Sequence, residues 1–257
     1  MGRHAGVSHT HDILDPRYIS ELRTFARARV LLAFDYDGTL SPIAPTPERA
    51  RLPAPTRRLL IRLAKQYPLV VISGRALADI SERVMDIGVR QVFGNHGLEW
   101  SGATSRPRAQ VRQWVDQLHQ HLDGVPGVVI EDKAHSLSVH YRSAPDHGRA
   151  LRLILPAARA LPRVRVICGA AAVNLLPDHG ANKGVALRRA LDTSGCEMAI
   201  YVGDDETDED AFAALKPDTL LAIRVGAAKK SHARYHLESQ ESIDLLLRAF
   251  IEARDGD

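Results

Sequence analysis

A chain of 257 residues, 45% apolar and 25% charged, has the composition of an ordinary globular protein, long enough for one large α/β domain or a core plus a smaller domain. No run of about 18 apolar residues occurs, which argues against a transmembrane helix, and the first residues lack the apolar stretch of a signal peptide, so a cytoplasmic location away from the membrane is expected. The net charge of +3 and the scatter of arginines along the chain give no stripe for nucleic acid, suit a small anionic substrate, and make no obligate protein partner evident.

Residues 1–18, with His4, His9 and His11, read as a flexible polar tail. A helix is expected over Asp15–Ala28, then an apolar strand over Val30–Phe34 that ends in Asp35-Tyr-Asp37-Gly38-Thr39. A proline-punctuated loop follows, then a helix over Pro55–Ala64 and a second apolar strand over Pro68–Ile72, ending in Ser73-Gly74-Arg75. A helix over Ala76–Asp86 leads to a third strand, Val89–Phe93, and to Gly94-Asn95-His96-Gly97-Leu98-Glu99. The periodicity then changes. A helical stripe at Val111, Trp114, Val115, Leu118 and Leu122 precedes two strands, and helix-strand-strand recurs up to Leu176. This pattern predicts a small antiparallel α+β module over residues 102–178. The parallel pattern resumes with a helix from Lys183 and a strand over Met198–Val202 running into Gly203-Asp204-Asp205-Glu206-Thr207-Asp208-Glu209-Asp210. There Thr207 with Asp210 resembles a helix start. A strand over Leu220–Val225 and a final helix carrying Ile243, Leu246, Leu247, Phe250 and Ile251 complete the chain. Cys168 and Cys196, two and far apart, fit reduced thiols. The expected class is α/β: a doubly wound core of residues 19–101 and 179–257, interrupted by the α+β module.

In such a sheet, ligands bind beyond the carboxyl ends of the strands, where four pieces of this sequence converge. Asp35 and Asp37 repel each other unless a cation lies between them, and Mg²⁺ with its preference for oxygen is the usual answer. Ser73 offers a hydroxyl and Gly74 an accessible N–H, both suited to phosphate oxygens. Lys183, at a helix start, can neutralise a nucleophile and a phosphate. The run 204–210 holds six carboxylates in seven residues; beside a metal, its first members become ligands.

The ordered set, Asp-x-Asp-Gly-Thr, serine, lysine and Gly-Asp-Asp, resembles the haloacid dehalogenase superfamily. The resemblance implies that Asp35 attacks phosphorus to form an aspartyl-phosphate and that Asp37 protonates the leaving alkoxide and later activates water. It implies Mg²⁺ held by Asp35, the Asp37 carbonyl and Asp204, with Asp205 and Asp208 in support, and phosphoryl oxygens on Thr39 and Ser73. The α+β module then becomes a cap inserted between Arg75 and Lys183 that selects the leaving group.

Several stretches, over roughly residues 25–250, resemble the trehalose-6-phosphate phosphatase family more closely: Phe34-Asp-Tyr-Asp-Gly-Thr-Leu-Ser-Pro-Ile, Gly94-Asn-His-Gly-Leu-Glu, Glu131-Asp-Lys133, Ser138-Val-His140-Tyr-Arg142, and Tyr201 to Phe212. This implies sugar contacts from Glu131, Lys133, and His140 or Arg142, with Arg75, Asn95 and His96 joining the substrate-binding set. One departure stands out. The family usually carries Val-x-Glu-x-x-Pro before its lysine motif, whereas this chain has Val173-Asn174-Leu-Leu-Pro177, with Asn174 counted among the substrate-binding residues. The expected function is Mg²⁺-dependent hydrolysis of trehalose 6-phosphate. Another glycosyl phosphate, such as glucosylglycerol or sucrose phosphate, is the alternative substrate; a non-catalytic Mg²⁺- and phosphate-binding module is the other reading.

Overall fold

A computed structural model describes residues 10–100, 109–169, 171–178, 182–226 and 230–255. In chain order the strands are β1 His11–Asp12, β2 Val30–Phe34, β3 Leu69–Ile72, β4 Gln91–Gly94, β5 Glu99–Trp100, β6 Val129–Asp132, β7 Leu137–His140, β8 Val164–Gly169, β9 Ala172–Pro177, β10 Met198–Gly203, β11 Leu220–Val225 and β12 Tyr235–Leu237. The helices are α1 Ile19–Arg27, α2 Ala54–Leu63, α3 Leu77–Val84, α4 Ala109–Leu122, α5 His147–Arg159, α6 Lys183–Ser194, α7 Glu209–Phe212 and α8 Ile243–Asp255.

Eight strands form one sheet in the order β1-β12-β11-β10-β2-β3-β4-β5, parallel except for β5. The strands β2 and β3 are apolar throughout, and β10 is so except for the Tyr201 hydroxyl, because both faces are covered. Val30, Leu32 and Phe34 pack with α1, α2 and α8, while Leu31 and Ala33 pack against α6 and α7. Helices on both faces make the core doubly wound, as expected. The remaining strands form a second, antiparallel sheet in the order β6-β7-β9-β8. Its inner face, with Leu137, Val139, Val173 and Leu175, buries against Trp114, Leu118 and Ile154 of α4 and α5. Its other face carries the row Glu131, Ser138, Asn174 and Ile167, paired across four strands. The start of the expected module, 102–108, lies outside the described residues, as do His4 and His9.

Residues 1–9 of the expected flexible tail lie outside the described residues, and over residues 10–18 the expectation needs correction. Residues 11 and 12 pair in parallel with Tyr235 and His236, and Ile13 is fully buried in the core. His11 stacks on Tyr18 at 4.4 Å. One buried isoleucine, worth about 1.5–3 kcal/mol of transfer free energy, and one ring stack hold a segment whose composition is otherwise polar. The expected helix start at Thr207 also moves. Asp205 is the cap: its carboxylate accepts from the Asp208 backbone, and the Asp208 carboxylate accepts from the Asp205 N–H. Three short strands, β1, β5 and β12, escape the sequence patterns. Among the described residues, no helix is long and apolar enough to cross a membrane.

Candidate active site

The tip of β2 delivers Asp35, and Gly38 turns the chain at once. Its φ of +81° is left-handed, and a β-carbon there would lie 2.1 Å from Asp204 Oδ2. Glycine therefore lets the β2 and β10 tips meet. Thr39 Oγ1 donates to Asp204 Oδ1 at 3.0 Å, so its hydroxyl ties these two loops together.

Asp35 is 5% exposed, and Lys183 Nζ lies 3.1 Å from its Oδ2. Lys183, at the first position of α6, is itself 2% exposed; the cap residue Asn182 accepts from Val185 N at 2.9 Å and fixes the helix start. The ammonium also donates to Asp208 Oδ1 at 2.8 Å, which Tyr201 Oη approaches to 2.6 Å. Asp208 Oδ2 accepts from the backbone N–H groups of Asp204 and Asp205. Four donors fill the four acceptor positions of the Asp208 carboxylate.

Burial pushes the Asp35 carboxyl well above the usual range; Lys183 opposes this, while Asp208, Asp204 and Asp37 add to it. Burial, together with Asp208, pushes Asp204 up to about 7. For Lys183 burial favours loss of the proton, but Asp208 and Asp35 outweigh it and the pKa rises. Carboxylate oxygens of Asp35, Asp204 and Asp208 lie within 4.8 Å of one another. Three carboxylates facing one ammonium leave two negative charges uncompensated, which is the charge of one divalent cation. The all-oxygen donor set fits Mg²⁺. With Asp208 committed to its four donors, Asp35 and Asp204 are the side chains free to hold such an ion. Asp205 turns its carboxylate to the helix cap instead, and the Asp37 carboxylate is engaged elsewhere.

Asp37 is held by Arg75: Nε and Nη2 each donate to one of its oxygens at 2.6 Å. Arg75 Nη1 donates to Asp79 at 2.7 Å. Ser73 Oγ, fully buried, accepts from the Arg75 N–H at 3.2 Å. Gly74 meets the second sheet: Lys133 Nζ donates to its carbonyl at 3.1 Å. Asn95 Nδ2 donates to the Lys133 carbonyl at 2.8 Å, and Asn95 Oδ1 accepts from Ser136 Oγ at 2.7 Å. His96 follows, buried against Gly74.

On the second sheet, Glu131 pairs with His140 at 2.8 Å and with Lys133 at 3.5 Å. Burial raises the Glu131 carboxyl, but the His140 and Lys133 contacts prevail and lower it. Arg142 donates to the Ala44 carbonyl beyond β2. Asn174 Oδ1 accepts from Ser138 Oγ at 2.7 Å. Arg165 clasps Asp210 of the core at 2.7 and 2.9 Å.

The structure thus gathers the sequence-derived residues into two groups: Asp35, Asp37, Thr39, Ser73, Gly74, Arg75, Lys183, Asp204, Asp205 and Asp208 at the strand tips, and Glu131, Lys133, His140, Arg142 and Asn174 on the facing module. Asn95 and His96 lie between them. Sequence reasoning missed Tyr201, Ser138, Asp79 and Arg224. Arg224 Nη2 donates to the Asp204 carbonyl at 2.5 Å while Nη1 pairs with Glu209 at 2.8 Å. A tyrosine or arginine inside an otherwise apolar strand was the one available signal.

A doubly wound sheet with this acidic tip and an inserted α+β cap defines a protein of the haloacid dehalogenase fold. A family model described as trehalose-phosphatase matches residues 33–241, and the chain belongs to that family. The trehalose-phosphate phosphatase of Mycobacterium marinum is 36% identical over 205 residues, covering 74% of this chain and 52% of that protein. The chain spans about half the length of the curated relatives it matches. The C-terminal domain of Candida albicans trehalose-6-phosphate phosphatase superposes with a TM-score of 0.80 at 22% identity, covering 95% of this chain and 99% of that one. Aspergillus fumigatus trehalose-6-phosphate phosphatase gives 0.64 at 27%, covering 97% and 100%.

Proposed function

We propose that this protein is a Mg²⁺-dependent phosphatase that hydrolyses trehalose 6-phosphate to trehalose and phosphate through an aspartyl-phosphate on Asp35. The observation that carries the reading is the buried Asp35–Lys183 pair beside Asp204, in a member of the trehalose-phosphatase family.

Asp35 is the nucleophile. Lys183 holds it in place, and its fixed positive charge favours both the ionised carboxylate and the incoming phosphate. Asp37, two residues on and fixed by Arg75, is the acid for the departing alkoxide and then the base for water. Ser73, the Gly74 N–H and Thr39 line the phosphate end. Asp35, Asp204 and the Asp37 backbone carbonyl would hold Mg²⁺, which offsets the negative charge of nucleophile and phosphate. Asp205 and Asp208 support by positioning: Asp208 aligns Lys183 and the 204–205 backbone, and Asp205 caps the turn. Glu131, Lys133, His140 and Arg142 present charged and hydrogen-bonding groups to the sugar, and residues 102–178 act as the cap that excludes water.

Asn174 supports a second substrate reading. Its amide oxygen is taken by Ser138, leaving the Nδ2 donors where the family usually offers a carboxylate, so another glycosyl phosphate could be preferred. Phosphate release from trehalose 6-phosphate, sucrose 6-phosphate and glucosylglycerol phosphate separates the two readings. The fastest turnover on either of the latter moves the substrate and leaves the mechanism. No release from any ester points to a non-catalytic module.

A further inference from the structure

His96 sits at a place that costs the fold free energy twice. Its backbone is left-handed, φ 57° and ψ 28°, which is unfavourable for a residue bearing a β-carbon. The residue is 5% exposed, and Nδ1 of its ring is buried with no hydrogen-bond partner. Both costs fall on one side chain at the seam of the site. The His96 N–H donates to the Ser73 carbonyl at 2.9 Å, and the preceding Asn95 N–H donates to the Arg75 carbonyl at 2.6 Å. On the other side, a β-carbon at Gly97 would lie 2.7 Å from the Asn182 carbonyl, just before Lys183. The turn is wedged between the serine loop and the lysine helix.

The ring occupies the space that a side chain at Gly74 would fill: a β-carbon there would lie 2.5 Å from His96 Cε1 and 2.8 Å from Nε2. The Cε1–Nε2 edge therefore abuts the loop that carries Ser73 and the Gly74 N–H. Burial holds the imidazole well below its usual pKa, and Lys183, Lys133 and Arg165 add to this. A neutral ring has one N–H. With the proton on Nε2, Nδ1 is left as a bare acceptor, a cheaper orphan than a buried N–H. A neutral donor among three cations complements the oxygen of an anion.

We propose that His96 Nε2 donates a hydrogen bond to a phosphoryl oxygen of the bound ester, a contact for which the fold retains a strained, half-satisfied residue. The inference rests on the phosphatase reading above for the identity of the anion.

Two variants separate this role from packing. In His96→Gln the amide nitrogen reaches the place of Nε2; in His96→Asn it falls short, yet asparagine suits the left-handed backbone better. Calorimetric titration with inorganic phosphate in the presence of Mg²⁺ is expected to show about tenfold weaker binding for His96→Asn and a change within about threefold for His96→Gln. Thermal midpoints are expected in the opposite order, with Asn at or above Gln. Wild-type phosphate affinity in both variants overturns the proposal, as does a loss of affinity that follows the loss of stability in the same order. Wild-type protein that binds phosphate in this His96-dependent way but hydrolyses no sugar phosphate leaves the inference standing and removes the substrate reading.

Discussion

Arg75 and Asp37, 38 residues apart in sequence, face each other through two parallel 2.6 Å hydrogen bonds, the fork of the guanidinium matching both carboxylate oxygens. Asp79 anchors the arginine from behind at 2.7 Å. If Asp37 is the acid and base, this clasp sets its reach. Arg75→Lys keeps the charge and loses the fork. We expect kcat to fall by about 10- to 100-fold with a smaller change in KM, less than the roughly 100- to 10,000-fold that a well-placed acid–base group contributes, because Asp37 is misaligned rather than removed. A change in KM alone would mean that Arg75 serves substrate binding instead.

The strand tips were legible because each combines an unbroken apolar run with an abrupt change to charged and small residues: Val30–Phe34 before Asp35, Leu69–Ile72 before Ser73, Met198–Val202 before Asp204. Register was not legible. That Ser138 lies opposite Asn174, or that Arg75 reaches Asp37 from the neighbouring strand, follows from pairing between segments that no local pattern encodes. Short strands were lost for a related reason: at β12 and β1, two or three residues give no periodicity, and Ile13 is a single apolar residue in a polar stretch. The helix start was misplaced because Thr207 matched a capping pattern that Asp205 and Asp208 satisfy instead.

Arg224 spans the Asp204 carbonyl and the Glu209 carboxylate, holding the loop that carries the proposed metal ligand. Arg224→Gln should weaken Mg²⁺ binding by about tenfold, read by calorimetry on the metal-free protein, because a lost charge-assisted bond is worth about 1.5–3 kcal/mol. Unchanged affinity would show that the loop holds its shape without the arginine.

Asn174 and Ser138 form the middle of the row that faces the core. Asn174→Glu places a carboxylate beside Ser138 and is expected to raise the preference for trehalose 6-phosphate over sucrose 6-phosphate by severalfold, read as the ratio of kcat/KM. An unchanged ratio would remove Asn174 from the set that determines specificity.

Asp204 supplies a pH dependence. Its folded-state pKa of about 7 lies above the ordinary 3.8, through burial and Asp208. The folded protein therefore binds this proton more tightly than the unfolded chain, and metal-free stability declines as pH rises from about 4 to about 7. Mg²⁺ competes with the proton for the same carboxylate. The ion should raise the unfolding temperature more near pH 8 than near pH 5. Equal gains at both would place Mg²⁺ away from Asp204.

The most direct test of the whole account is Mg²⁺-dependent phosphate release from trehalose 6-phosphate by the wild type and by Asp35→Asn. The account predicts turnover that requires Mg²⁺ in the wild type and its abolition in the variant, with the thermal midpoint retained. Near wild-type release from Asp35→Asn would contradict the assignment of Asp35 as the nucleophile.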